Sequence, residues 1–100
     1  MKYLLEWKNR SGASAQENLA SLKRSLEVFG KWTPATTVHQ FLGRVDGAGG
    51  FAVIESDDAS AVAKDCAIFS PYLEFTVHPV VDIQEGARLL QQAVDFNETV

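Results

Sequence analysis

The stretch from Phe41 to Glu55 restricts this chain more than any other. Two apolar, β-prone runs flank Asp46-Gly47-Ala48-Gly49-Gly50, and glycine accepts positive φ without steric cost, so the chain can reverse there as a hairpin. The turn falls near the middle of the sequence. The residues before it read strand, helix, strand, and the residues after it read the same way.

Taken in order, Tyr3 to Trp7 is the first strand, with Tyr3, Leu5 and Trp7 on one face and Leu4 and Glu6 on the other. After a polar connector, Ser14 reads as an N-cap and Glu17 completes a capping box. The first helix is expected to bury a stripe of Leu19, Leu22, Leu26 and Phe29, with Gly30 just past its end and Pro34 forbidding continuation. Val38–Arg44 and Gly50–Glu55 are the hairpin strands. Asp57 or Asp58 caps a second helix with a stripe of Ala59, Val62, Cys66 and Phe69, each forty positions after its counterpart in the first helix. Pro71 ends it. Leu73–Val80 is the fourth strand, and Asp82, with Glu85 in the reciprocal position, caps a last helix whose apolar line is Ile83, Ala87, Leu90 and Val94. Phe96 to Val100 is expected to fray.

The order β-α-β-β-α-β-α predicts an α+β, ferredoxin-like sandwich with a four-stranded antiparallel sheet in the order 4-1-3-2. One hundred residues make a single domain over 1–100. The first two helices cover one sheet face. The other carries Leu4, Phe51, Val53 and either Val38 or Phe41, a patch a monomer rarely leaves in water, so a homodimer with the sheets face to face is expected.

Composition narrows the partners. The chain is 46% hydrophobic and 22% charged with a net charge of −4, and it has no basic block, which argues against nucleic acid. No apolar run reaches membrane-spanning length, and the opening Met1–Lys8 is too short in apolar residues for a signal peptide, so the expected compartment is the cytoplasm. Cys66 is the one cysteine and sits on a core stripe. The Asn97-Glu98-Thr99 sequon reads as coincidence. Gly47-Ala-Gly-Gly50 is not a phosphate loop, because no Lys-Ser/Thr comes after it and the glycines lead into a strand.

Gly50-Phe-Ala-Val-Ile-Glu-Ser-Asp-Asp58 and Phe75-Thr-Val-His-Pro-Val-Val81, with the opening Tyr3-Leu-Leu-Glu-Trp-Lys8 strand, resemble a family of short, mainly prokaryotic proteins of unknown function. That family is similar to the dimeric α+β barrels. The resemblance implies a ferredoxin-like homodimer and assigns no chemistry.

Strands one and three are nevertheless read as parallel neighbours, which would put Glu6 and Glu55 at one end of the open face. The hairpin brings His39 to Glu55, and strand four brings Glu74 toward Glu6 and sends His78 to the far end near Lys2. Glu6, His39, Glu55, Glu74 and His78 are therefore the candidate pocket residues, since carboxylates and imidazoles in a half-buried cleft can do acid–base work. The parity of His39 stays open, because Val38, Gln40 and Leu42 compete with His39, Phe41 and Gly43 for the inward positions. The plainer alternative is a cross-strand His39–Glu55 polar pair, and for His78, before Pro79, a strand end with local hydrogen bonding. Trp7, Trp32 and Tyr72 are either pocket walls or core. No metal spacing and no cofactor motif is present. The functional expectation is a small organic molecule bound, or transformed, in a pocket of the open face. The alternative is a dimerisation or ligand-sensing module without chemistry.

Overall fold

Strand β1 (Lys2–Asn9) runs through the centre of the sheet, and its one fully internal residue, Leu5, lies with Ala52, Ile54 and Val62 at the core of the protein. The computed structural model describes residues 1–100. Helix α1 (Ala15–Lys31) comes next, then the hairpin strands β2 (Thr37–Gly43) and β3 (Gly49–Glu55), helix α2 (Ala59–Phe69), strand β4 (Leu73–Val80) and helix α3 (Ile83–Glu98). The sheet order is β2-β3-β1-β4, every pairing is antiparallel, and α1 and α2 lie on one side. This is the expected ferredoxin-like sandwich. One expectation within it fails: β1 and β3 are antiparallel, with Lys2 opposite Glu55 and Glu6 opposite Phe51.

The period of two along β1 assigns the faces. Tyr3, Leu5 and Trp7 face the helices, together with Ala52 and Ile54 of β3 and Phe75 and Val77 of β4. Leu4, Phe51, Val53, Thr76 and His78 face the other way. In β2 the alternation breaks, because the register slips between Val38 and Gln40. This β-bulge resolves the parity conflict. Val38 opposite Ile54 and Phe41 opposite Ala52 both turn toward the helices, so neither belongs to the open face.

The helix signals hold in part. Ser14 Oγ accepts from the Glu17 amide at 3.1 Å, and the Asp58 carboxylate accepts from Ser60 at 2.8 Å. Helix α1 runs one residue past Gly30, and α3 stays helical to Glu98 rather than fraying at Phe96. Asp82 occupies the N-cap position of α3 but makes no capping bond, because Lys2 holds its carboxylate at 2.8 Å; Glu85 pairs with Arg88 instead. The largest departure concerns α1. Its leucine stripe is not buried: Leu19, Leu22, Leu26 and Phe29 all stay exposed, and Ser25 is the α1 residue that is buried, its hydroxyl donating to the Leu22 carbonyl. In α2 the stripe does pack, through Val62 and Phe69, with Asp65 also buried and Ala59 left outside.

The central turn divides its glycines between two jobs. Gly47 has φ +73°, while the Arg44 amide donates to the Gly49 carbonyl and the Asp46 carboxylate accepts from Ala48. Gly49 and Gly50 serve close approach. A Cβ on Gly49 would lie 1.9 Å from the Trp7 carbonyl oxygen, and one on Gly50 would lie 2.4 Å from the Trp7 ring and from the Leu42 carbonyl. The Trp7 indole thus lies across bare backbone of β3. Gly50→Ala is expected to lower stability by about 2 kcal/mol through overpacking. Chemical denaturation checks this; an unchanged midpoint would show that the indole simply moves aside.

Candidate functional site

The expected cluster of Glu6, Glu55, His39 and Glu74 at one end of the sheet does not assemble. Because β1 and β3 are antiparallel, Glu55 sits opposite Lys2, four residues along β1 from Glu6 and roughly 13 Å away at strand spacing. The groups form three separate pairs. His39 Nε2 lies 2.7 Å from Glu55 Oε1. His78 Nε2 lies 3.5 Å from Glu6 Oε2, so His78 joins Glu6, two residues along the neighbouring strand, rather than standing apart near Lys2. Glu74 is opposite Lys8 and pairs with Arg10 at 3.3 Å. All five residues are solvent-accessible.

The His39–Glu55 contact arises from the bulge. The extra residue in β2 lets His39 reach the face that carries Glu55 while Val38 keeps its place in the core. An ionised carboxylate only accepts, so the imidazole Nε2–H donates. That hydrogen bond leads in holding the Glu55 carboxyl below its ordinary 4.5, and the charges of His39, the N-terminus and Lys2 add to it. No group of three or more His, Cys, Asp or Glu side chains is placed to hold a metal ion.

An apolar concave site lies on the other side of the sheet. A groove of about 320 Å³ opens between α1, α2 and the strands, and most of its lining is apolar. Phe41 stands at its centre. Its ring centroid is 5.9 Å from Trp7, 6.0 Å from Phe29 and 6.0 Å from Trp32, with interplanar angles of 73°, 81° and 75°. Trp32 in turn meets Phe69 edge-on at 5.1 Å. Edge-to-face pairs of this kind each contribute about 1 kcal/mol beyond their burial.

One carboxylate is built into the groove. Asp65, only 5% exposed, accepts from Trp32 Nε1 at 3.1 Å, from the amides of Ala35 and Thr36, and from the Thr36 hydroxyl at 2.9 Å. It ties the α1–β2 connection to α2 and fixes the Trp32 indole as a wall. Sequence reasoning missed it. The one available signal was its place on the buried side of α2, three residues after Val62 and four before Phe69. Cys66 lines the same groove, and burial, with the Asp65 carboxylate beside it, pushes its thiol above the ordinary 9.0. It is a wall residue of the groove. Trp7 and Trp32 line the groove as the sequence allowed; Tyr72 lies outside it, beside Arg10 and Leu73.

The fold and groove define a small α+β sandwich of the ferredoxin-like class, with an aromatic cleft between its helices and its sheet. The chain matches the family described as a domain of unknown function, DUF3303, over residues 1–94, and it belongs to that family. No curated protein matches it. No helix is long and apolar enough to cross a membrane.

Asp65→Ala strands the Trp32 and Thr36 donors and is expected to cost about 3 kcal/mol. Thermal denaturation and the emission maximum in a Trp7→Phe background, where Trp32 is the one remaining indole, check it; an unmoved melting point with an unmoved maximum refutes the structural role given to Asp65. In a carboxyl-detected NMR titration, Glu55 should titrate below 4.5. A lowered folded value means that the pair supports the folded state above pH 4.5 and loses that support as pH falls through the folded value. His39→Ala should bring Glu55 back up toward 4.5.

Proposed function

We infer that this protein is a homodimeric small-molecule-binding module whose ligand is a flat, apolar organic molecule seated in the groove around Phe41. The observation that carries this reading is the groove itself: about 320 Å³, walled by Trp7, Phe29, Trp32, Phe41 and Phe69, with its single acid already engaged by four donor groups. Ligand cavities have this size and this mostly apolar lining with few polar groups. Asp65 has no donor-free oxygen to offer as a base, and burial pushes the Cys66 thiol up, which supports binding or sensing over covalent chemistry.

The open face supports dimerisation. Leu4, Phe51 and Val53 form an apolar centre there, only half-buried in one chain, with His39–Glu55 and Glu6–His78 beside it. Two such sheets face to face would cover that centre. A second reading puts the ligand between them, with His39 and Glu55 as an acid–base pair; the 2.7 Å contact favours it, and Glu6, Glu74 and His78 would then be further polar contacts of that pocket.

A fluorescent apolar probe, N-phenyl-1-naphthylamine, separates the two readings. Saturable binding at one probe per chain is expected, with Phe41→Ala weakening it about tenfold by removing the shared ring. His39→Ala should leave it unchanged. Absence of saturable binding overturns the groove reading, and loss in His39→Ala without loss in Phe41→Ala moves the ligand to the open face.

A further inference from the structure

Helix α3 does not belong to the body of its own chain. It buries no residue, and Leu90, Val94 and Phe96 all stand in solvent. The chain measures 61 × 26 × 21 Å with a radius of gyration of 17.6 Å, where a compact domain of this length has about 13 Å. The direction of α3 is fixed at the root. Only Val81 and Asp82 separate β4 from α3, and Asp82 is tied to Lys2 at 2.8 Å on the central strand. A helix of 16 residues is marginal in water unless an apolar face is packed.

We propose that α3 is an exchanged arm: its Ile83-Leu90-Val94 stripe docks on the exposed leucine stripe of α1 in a second copy of this chain, closing the mouth of that copy's aromatic groove. The inference rests on the groove reading only for what the arm encloses. The two stripes match in length, since Ile83 to Val94 rises about 16 Å and Leu19 to Phe29 about 15 Å at helical spacing. They also match in charge. Asp82, Glu85, Asp95 and Glu98 against Arg88 alone leave the arm at −3. Helix α1 carries Lys23, Arg24 and Lys31 against Glu17 and Glu27, a net +1, and Lys64 of α2 adds to it in a surface depression shared with Arg24 and Lys31. Leu22, Leu26 and Phe29 line the groove, so a helix laid on this stripe adds Leu90 and Val94 to the site. Under a two-fold axis each copy gives one arm and receives one, a pairing distinct from face-to-face packing of the sheets, since α1 lies on the side of the sheet away from Leu4, Phe51 and Val53.

Engineered cysteines test the docking in the full-length chain, in a Cys66→Ser background. Leu26 is 63% exposed and Leu90 69% exposed, so Leu26→Cys and Leu90→Cys leave the interior untouched. The double variant, oxidised, should run at twice the 11.0 kDa chain mass, and a mixture of the two single variants should yield a 26–90 bridge identifiable by peptide mass. Light scattering of the unmodified chain should give the dimer mass. A monomer-mass ring closed within one chain, bridging of Leu90→Cys to Val53→Cys on the open face instead, or a mass of 11.0 kDa in solution each overturns the proposal. None of these readouts needs a ligand. Bridging without probe binding therefore removes the groove reading and keeps the arm, and probe binding without bridging does the reverse.

Discussion

The register slip between Val38 and Gln40 is the constraint on which the two faces of this sheet depend. Without it, strict alternation would send either Val38 or Phe41 away from the helices. With it, Val38 packs against the core, Phe41 becomes the hub of the aromatic groove, and His39 is released to the opposite face, where it meets Glu55. A single inserted residue thereby supplies both the centre of the apolar cleft and the polar pair on the other side.

Asp65 performs the complementary task between the helices. A buried carboxylate is costly unless every lone pair is engaged, and here it is engaged by an indole, two amides and a hydroxyl. The acid therefore locks the α1–β2 connection and leaves no buried side-chain nitrogen or oxygen without a partner. The groove is held open by a polar clamp and walled by rings, which explains how a cleft of this size persists in a chain of 100 residues.

Much of the architecture was legible because it rests on local signals. Ser14 and Asp58 cap helices, Gly47 turns the hairpin, and the alternation in β1 and β4 sorts Trp7 and Phe75 from Glu6 and His78. The site was less legible, for two reasons. The clustering of Glu6 with Glu55 came from a parallel β1–β3 pairing, and reversing that direction separates the two. The leucine stripe of α1 has the spacing of a buried face, but spacing does not say which surface covers it, and in this chain the sheet receives Ser25 instead. Asp65 escaped notice because an isolated acid on a helix carries no pattern; only the fold brings Trp32 to it. Gly49 and Gly50 read as turn residues, whereas the backbone of Trp7 crowds the first and the Trp7 indole with the Leu42 carbonyl crowds the second.

The interior of the chain is thin. Nine of its 100 residues are buried, and Ile54 is the largest side chain wholly removed from solvent. The net stability of a domain this size is a small difference between large terms, so binding to the folded form shifts its melting temperature visibly. Anything that recognises the folded form adds its own binding free energy to a small intrinsic balance. If two copies pair and a molecule fills the cleft, as proposed, the heat resistance of this protein becomes a reporter of both concentrations.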